Sequence, residues 1–329
     1  MLPKWPNEKI ADSWVSTEYS RDIAKTSVAD EAGAMTIPQA LLGWPFFRLL
    51  ILAGDQKQLQ PPVMTQNQKN LARIFVNSFA PQAGVSILQW MNEMGWPTLT
   101  MSEQLRMANG GFDTAQSVFY ADVHRFSYAD RCHLRFHPRA QEFELWMKEY
   151  PGVESRLEEG KVLPVFVHSD GICEVKEGTM SRYNTKQAHT AIDLIQELLE
   201  RVQVDASEIS IVTPYSGMNS VVRTLLAQRK DRALKKVQVN TTDTFQGRQT
   251  SFVVCILTVS ERHRLGHVAS PQRLNVAITR HTDGLIVVGN INSCGREQEG
   301  YDALLRWFKT NGRVVHLPAT TTGGAGAWW

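Results

Sequence analysis

The 329 residues are 43% hydrophobic and 21% charged, with 35 Lys and Arg against 33 Asp and Glu; this is ordinary globular usage and excludes a disordered chain or a strongly basic nucleic-acid binder. Four scattered cysteines, Cys132, Cys173, Cys255 and Cys294, form no CxxC pair, which excludes a zinc module or a disulfide framework. No apolar run approaches the roughly 18 residues of a membrane span and no secretory signal is legible, so no membrane partner is expected and the expected location is cytoplasmic or nuclear.

Taken in chain order, residues 48–53 (RLLILA) run into Gly54-Asp55 and read as a buried strand ending in a turn. Residues 122–160, rich in His, Arg and Glu, read as a surface excursion. From 185 to 202 a helix is expected, because Ala188, Ala191, Ile192, Ile195, Leu198 and Leu199 recur at three- and four-residue spacing. Residues 209–213 (ISIVT) form the next strand, running into Pro214-Tyr215, and the helix after it carries Met218, Val221, Val222, Leu225 and Leu226 on its apolar side. Two more strands follow at 252–259 (FVVCILTV) and 285–288 (LIVV). The Thr- and Gly-rich tail, 319–329, has no core-forming pattern and is expected to be disordered. The strand–turn–helix rhythm predicts an α/β fold with parallel sheets flanked by helices, whose ligands lie at the carboxyl ends of the strands.

Two strings carry phosphate chemistry. Asp30-Glu31-Ala32-Gly33 places adjacent carboxylates at a strand end, where one holds magnesium through water and its neighbour accepts a proton from an attacking water. Taken alone, such a pair reads first as a solvated turn, because charged pairs usually just face water. Gly54-Asp55-Gln56-Lys57-Gln58-Leu59-Gln60-Pro61 then leaves the next strand and sets a second polar cluster along the same sheet edge. The histidines lack ligand spacing, so His124, His133 and His137 are expected at the surface.

Together these strings resemble the Walker B acid pair and the following Gly-Asp-x-x-Gln-Leu-x-Pro motif of superfamily-one RNA/DNA helicases of the nonsense-mediated-decay (Upf-like) type. The likeness continues in order through Gln104-Leu105-Arg106-Met107, Thr213-Pro214-Tyr215, Thr241-Thr242-Asp243-Thr244-Phe245-Gln246-Gly247-Arg248-Gln249, and Arg273-Leu274-Asn275-Val276-Ala277-Ile278-Thr279-Arg280. The resemblance implies a RecA-like P-loop NTPase fold with one partial RecA-like domain (1–100) and one complete one (101–318). It implies ATP and Mg as cofactors, single-stranded RNA or DNA as partner, and coupling of ATP hydrolysis to movement on that strand. Asp30, Glu31, Gln58, Arg106 and Arg280 would be catalytic, with Asp30 holding Mg through water and both arginines inserted from the second domain. Gly54, Asp55, Gln104, Gln246, Gly247 and Gln249 would bind the nucleotide, and Thr213, Pro214, Tyr215, Thr241 and Thr242 the nucleic-acid backbone.

The sequence departs from the family in three places. A phosphate loop needs GxxxxGK followed by Ser or Thr, and none is present. The chain is therefore expected to start inside the first RecA-like domain, with a protein partner or an upstream region completing the ATP site. Leu105 replaces the usual tyrosine, and Gln249 stands where the family carries an acid that contacts the ribose. These departures make a catalytically inactive, helicase-like adaptor the competing expectation.

Overall fold

The computed structural model describes residues 26–41, 49–63, 65, 68–151, 153, 160–179, 181–261, 265–293, 299–311 and 313–317. The expected tail at 319–329, Arg48 and Cys294 lie outside the described residues. Two compact units are present: one includes Gln60–Thr98 and the residues up to Gln56, the other Lys57–Leu59 and the residues from Leu99 onward.

In the first unit, β1 (Thr26–Ala29) and β2 (Leu49–Leu52) pair in parallel, Thr26 opposite Leu49 and Ala29 opposite Leu52. The helices are α1 (Ile37–Leu41), α2 (Ala80–Ala83) and α3 (Ile87–Glu93). The hydroxyl of Ser86 caps α3 by accepting from the Gln89 amide at 3.0 Å, the usual remedy for an orphan amide in a first turn. Ala32, Ala40, Ile87 and Met91 form the small core. Both strands alternate exposed with half-buried positions, and Val28, Leu49 and Ile51 stay exposed.

The second unit is built on a six-stranded parallel sheet. Its strands are β5 (Val165–His168), β8 (Ile209–Thr213), β9 (Gln238–Thr241), β10 (Thr250–Ile256), β11 (His281–Gly289) and β12 (Val314–His316), in the order β12-β5-β11-β10-β8-β9. Short pairs lie beside it: β3 (Glu103–Gln104) parallel to β4 (Ser127–Tyr128), and β6 (Glu174–Val175) antiparallel to β7 (Arg182–Tyr183). The helices are α4 (Asp113–Phe119), α5 (Pro138–Glu149), α6 (Thr185–Arg201), α7 (Ser216–Gln228), α8 (Pro271–Ile278) and α9 (Glu299–Thr310). The α/β, RecA-like reading holds. β8 has the expected bounds, whereas β10 and β11 start earlier than the apolar runs suggested, because backbone pairing continues through Thr250 and His281.

α6 shows how periodicity becomes packing. Asn184 caps it by accepting from the Gln187 amide at 3.1 Å, and Ala188, Ala191, Ile192, Ile195 and Leu198 are fully buried on one face. The surface excursion expected at 122–160 is corrected. Within it, α5 buries Ala140, Phe143, Trp146 and Met147 in the main core, and burial of the larger ones contributes roughly 1.5–3 kcal/mol each. The same helix buries Glu144, whose carboxylate pairs with Arg313 and accepts from the Leu163 amide at 3.2 Å. Burial pushes the Glu144 carboxyl up, against the pull of the Arg313 charge.

Candidate functional site

In the first unit the two polar strings lie side by side, because β1 and β2 are adjacent and parallel. Asp30 and Glu31 are exposed at the end of β1. Glu31 has a positive φ of 52° and its amide donates to Asp30 Oδ1 at 2.8 Å; for a non-glycine residue this is a strained conformation, of the kind concentrated at functional positions. The turns touch through backbone. A Cβ on Gly33 would lie 2.4 Å from Asp55 O, and one on Gly54 would lie 2.7 Å from Gly33 N and 2.8 Å from Ala32 N. Both glycines are thus required by close approach. Gly54→Ala is expected to cost about 1–3 kcal/mol, read as a lowered urea midpoint; an unchanged midpoint would show that the turns have room to separate.

In the second unit, Arg106 Nη2 donates to Thr279 O at 2.6 Å. Arg280 Nη2 donates to Gln58 Oε1 at 2.7 Å and to Thr279 Oγ1 at 3.3 Å, while its Nε donates to Val276 O at 3.2 Å. Burial, and then the Arg280 charge, pull Arg106 down to about 10, so Arg106 remains cationic at neutral pH. The buried Arg106 Nε has no partner among the described residues. Two neighbouring cations, one buried and the other half-buried with an orphan donor, call for an anion, and phosphate oxygens fit that need. For magnesium, the exposed Asp30 carboxylate suits a single outer contact. No cluster of three or more metal-ligating side chains occurs among the described residues.

Gln58 is held in place by its neighbour. The Lys57 ammonium pairs with Asp122 and donates to Phe119 O at 2.8 Å. Asn275 Nδ2 donates to Lys57 O at 2.8 Å and to Tyr120 Oη at 2.6 Å. Sequence reading quoted Asn275 within its motif and gave it no role.

An open cleft of about 740 Å³ collects Arg106, Leu105 and Gln249 from two motifs, together with Arg131 and Arg139, which sequence reading missed. His137, expected at the surface, is instead half-buried there: its Nδ1 lies 2.9 Å from Asp283 Oδ1. Burial pushes the Asp283 carboxyl up, but hydrogen bonds from His137 and Thr282 outweigh it and hold the group below the usual range. His281, beside Arg280 in sequence, is fully buried, and burial with the nearby Arg106 charge depresses it to about 4. Neutral His281 therefore binds fewer protons folded than unfolded between pH 4 and 6.5. Its stabilising contribution is complete above that window and is lost as pH falls through it, on the order of 3 kcal/mol in all. His281→Asn is expected to flatten the fall in urea midpoint between those limits, and an unaltered slope would contradict the assignment.

The remaining expected residues are spread more widely. Gln104 Oε1 accepts from the Arg106 amide at 3.0 Å and so shapes the turn that presents that arginine. Gln246 is half-buried, and Gly247 and Gln249 are exposed beyond Phe245, with Gly247 at a φ of 72° that favours glycine. Thr213 and Thr242 are fully buried, and Tyr215 is buried with its hydroxyl donating to Leu265 O at 2.7 Å. Pro214 and Thr241 are half-buried, and Thr241 shares a 3.0 Å hydroxyl contact with Thr244.

Residues 83–292 match the AAA domain family. The chain is 24% identical over 290 residues to an uncharacterised ATP-dependent helicase of Methanocaldococcus jannaschii, covering 86% of this chain and 38% of that protein. It is 25% identical over 278 residues to a regulator of nonsense transcripts 1 homolog of Neurospora crassa, covering 82% and 23%. With the ATP-dependent helicase NAM7 of Saccharomyces cerevisiae it shares 30% identity over 310 residues, covering 88% and 28%. The chain thus spans between about a quarter and two fifths of these relatives' length. No described helix is long and apolar enough to cross a membrane.

Proposed function

Because the chain belongs to the AAA domain family as a superfamily-one helicase region of the Upf-like type, we propose that it forms the C-terminal helicase region of an ATP-dependent motor on single-stranded RNA or DNA. The observation that carries this reading is the pair of neighbouring guanidiniums, the half-buried Arg106 and the buried Arg280, with Gln58 bonded to the second. In this reading the arginines neutralise charge developing on the transferred phosphoryl group. Gln58, bonded to Arg280, would sense the terminal phosphate and couple it to strand binding. Asp30 holds the magnesium of the nucleotide through water, and Glu31 takes the proton of the attacking water. ATP would supply the free energy, while Gly54, Asp55, Gln104, Gln246, Gly247 and Gln249 position it. The strand would lie along the carboxyl ends of β8 and β9, beside Thr213, Pro214, Tyr215, Thr241 and Thr242, of which the half-buried Pro214 and Thr241 are open to it.

A second reading stands beside the first: a helicase-like module that would bind nucleic acid or a protein partner without turning over ATP. Magnesium-dependent ATP hydrolysis, with and without single-stranded RNA or DNA, separates the two. Strand-stimulated turnover lost in the Asp30→Ala, Glu31→Ala variant supports the motor; strand binding without turnover supports the adaptor. The proposed location is cytoplasmic or nuclear, where such strands occur.

A further inference from the structure

Residues 68–76 of the first unit form an ordered hairpin. Lys69 pairs with Phe75 in an antiparallel bridge, the Asn70 amide donates to Ile74 O at 2.9 Å, and the Val76 amide donates to Gln68 O at 2.9 Å. The Asn70 side chain fixes the turn by accepting from the Ile74 amide at 3.0 Å, and Arg73 takes the left-handed conformation, at a φ of 60°. At the tip Leu71 is 107% exposed, and Ile74, Phe75, Val76 and Phe79 are all at least half exposed. Four large apolar side chains held in water on one preorganised hairpin, with Phe79 just beyond it, mark an interaction surface.

Charge narrows the choice of partner. No Asp or Glu occurs between Gln56 and Asn92, a stretch that contains Lys57, Lys69 and Arg73. Lys69 Nζ sits 4.5 Å from the Phe75 ring centroid, so a cation and an aromatic face are presented together. A protein partner would have to bring its own acids to Lys69 and Arg73, whereas a nucleic-acid strand carries a phosphate at every step. A single strand uses the whole set, with bases stacking on Phe75 and Phe79, phosphates meeting Lys69 and Arg73, and Leu71 wedged at a base step. We propose that this hairpin is a binding element for single-stranded nucleic acid, a contact that rests on the reading of the chain as acting on such strands.

The test is binding of a labelled oligothymidylate to the full chain at several salt concentrations. Phe75→Ala with Phe79→Ala is expected to weaken binding roughly tenfold or more, while Phe75→Trp retains affinity and its emission is quenched by the bound bases. Lys69→Gln with Arg73→Gln is expected to reduce the slope of log affinity against log salt by about 1.4. All four side chains are exposed, so unfolding midpoints should stay at the parental value. If the parent binds the strand and the variants bind equally well, the hairpin proposal falls and the helicase reading stands. Altered self-association with unaltered strand binding would also overturn it, in favour of a protein interface. A parent that binds no single strand would overturn both.

Discussion

Arg280→Ala is expected to weaken magnesium-dependent ATP binding by about 10- to 100-fold, since each hydrogen bond to a charged group contributes roughly 1.5–3 kcal/mol. The loss should show in titrations with a fluorescent ATP analogue. Arg280 is 4% exposed and bonded to Gln58, Thr279 and Val276, so its guanidinium is already oriented before any nucleotide arrives. Arg280→Lys should not restore affinity, because a lysine ammonium cannot reproduce a planar fork that meets several acceptors at once. Arg106→Ala should lower affinity in the same direction. Because the two cations repel one another, the double variant should lose less than the sum of the single losses. Full affinity in Arg280→Ala would mean that the guanidinium serves only to tie the end of α8 to Gln58.

The second large effect concerns stability. Glu144→Ala is expected to cost about 3–5 kcal/mol, because it strands the buried Arg313 cation without its counter-charge. Arg313 is 1% exposed and its Nε and Nη1 find no partner among the described residues, so the Glu144 carboxylate is the compensation for its burial. Urea denaturation monitored by circular dichroism measures the loss. The Glu144→Met, Arg313→Met double variant should recover most of it, since apolar replacement of both partners removes the buried charge altogether. A single variant within about 0.5 kcal/mol of the parent would show that Arg313 reaches solvent by local opening.

The contrast between these regions shows what local sequence can carry. β8 and α6 were legible because their apolar residues recur at a single period, with β8 buried on both sides and α6 on one face. α5 was not, because Ala140, Phe143, Trp146 and Met147 are interleaved with Arg139, Glu142, Glu144 and Lys148, and composition concealed the face. The ordered motifs showed which residues carry the chemistry. They did not show the bonds between distant positions. Asn275 reaches Lys57 across 218 positions and Arg280 reaches Gln58 across 222, and no local pattern encodes such a pair. Arg131, Arg139 and the His137–Asp283 contact were missed for the same reason, because only the packing of α5 beside β11 brings them to the cleft.

In the proposed motor, nucleotide and single strand are coupled through the Arg280–Gln58 contact. That coupling is read in the affinity of the full chain for a labelled single strand, with and without a non-hydrolysable ATP analogue and magnesium. Coupling between two sites is reciprocal and typically changes affinity about 5- to 150-fold. A change of that size is expected in the parent, abolished in Gln58→Ala and in Arg280→Ala while nucleotide-free strand binding is kept. Strand affinity indifferent to nucleotide in the parent would contradict it.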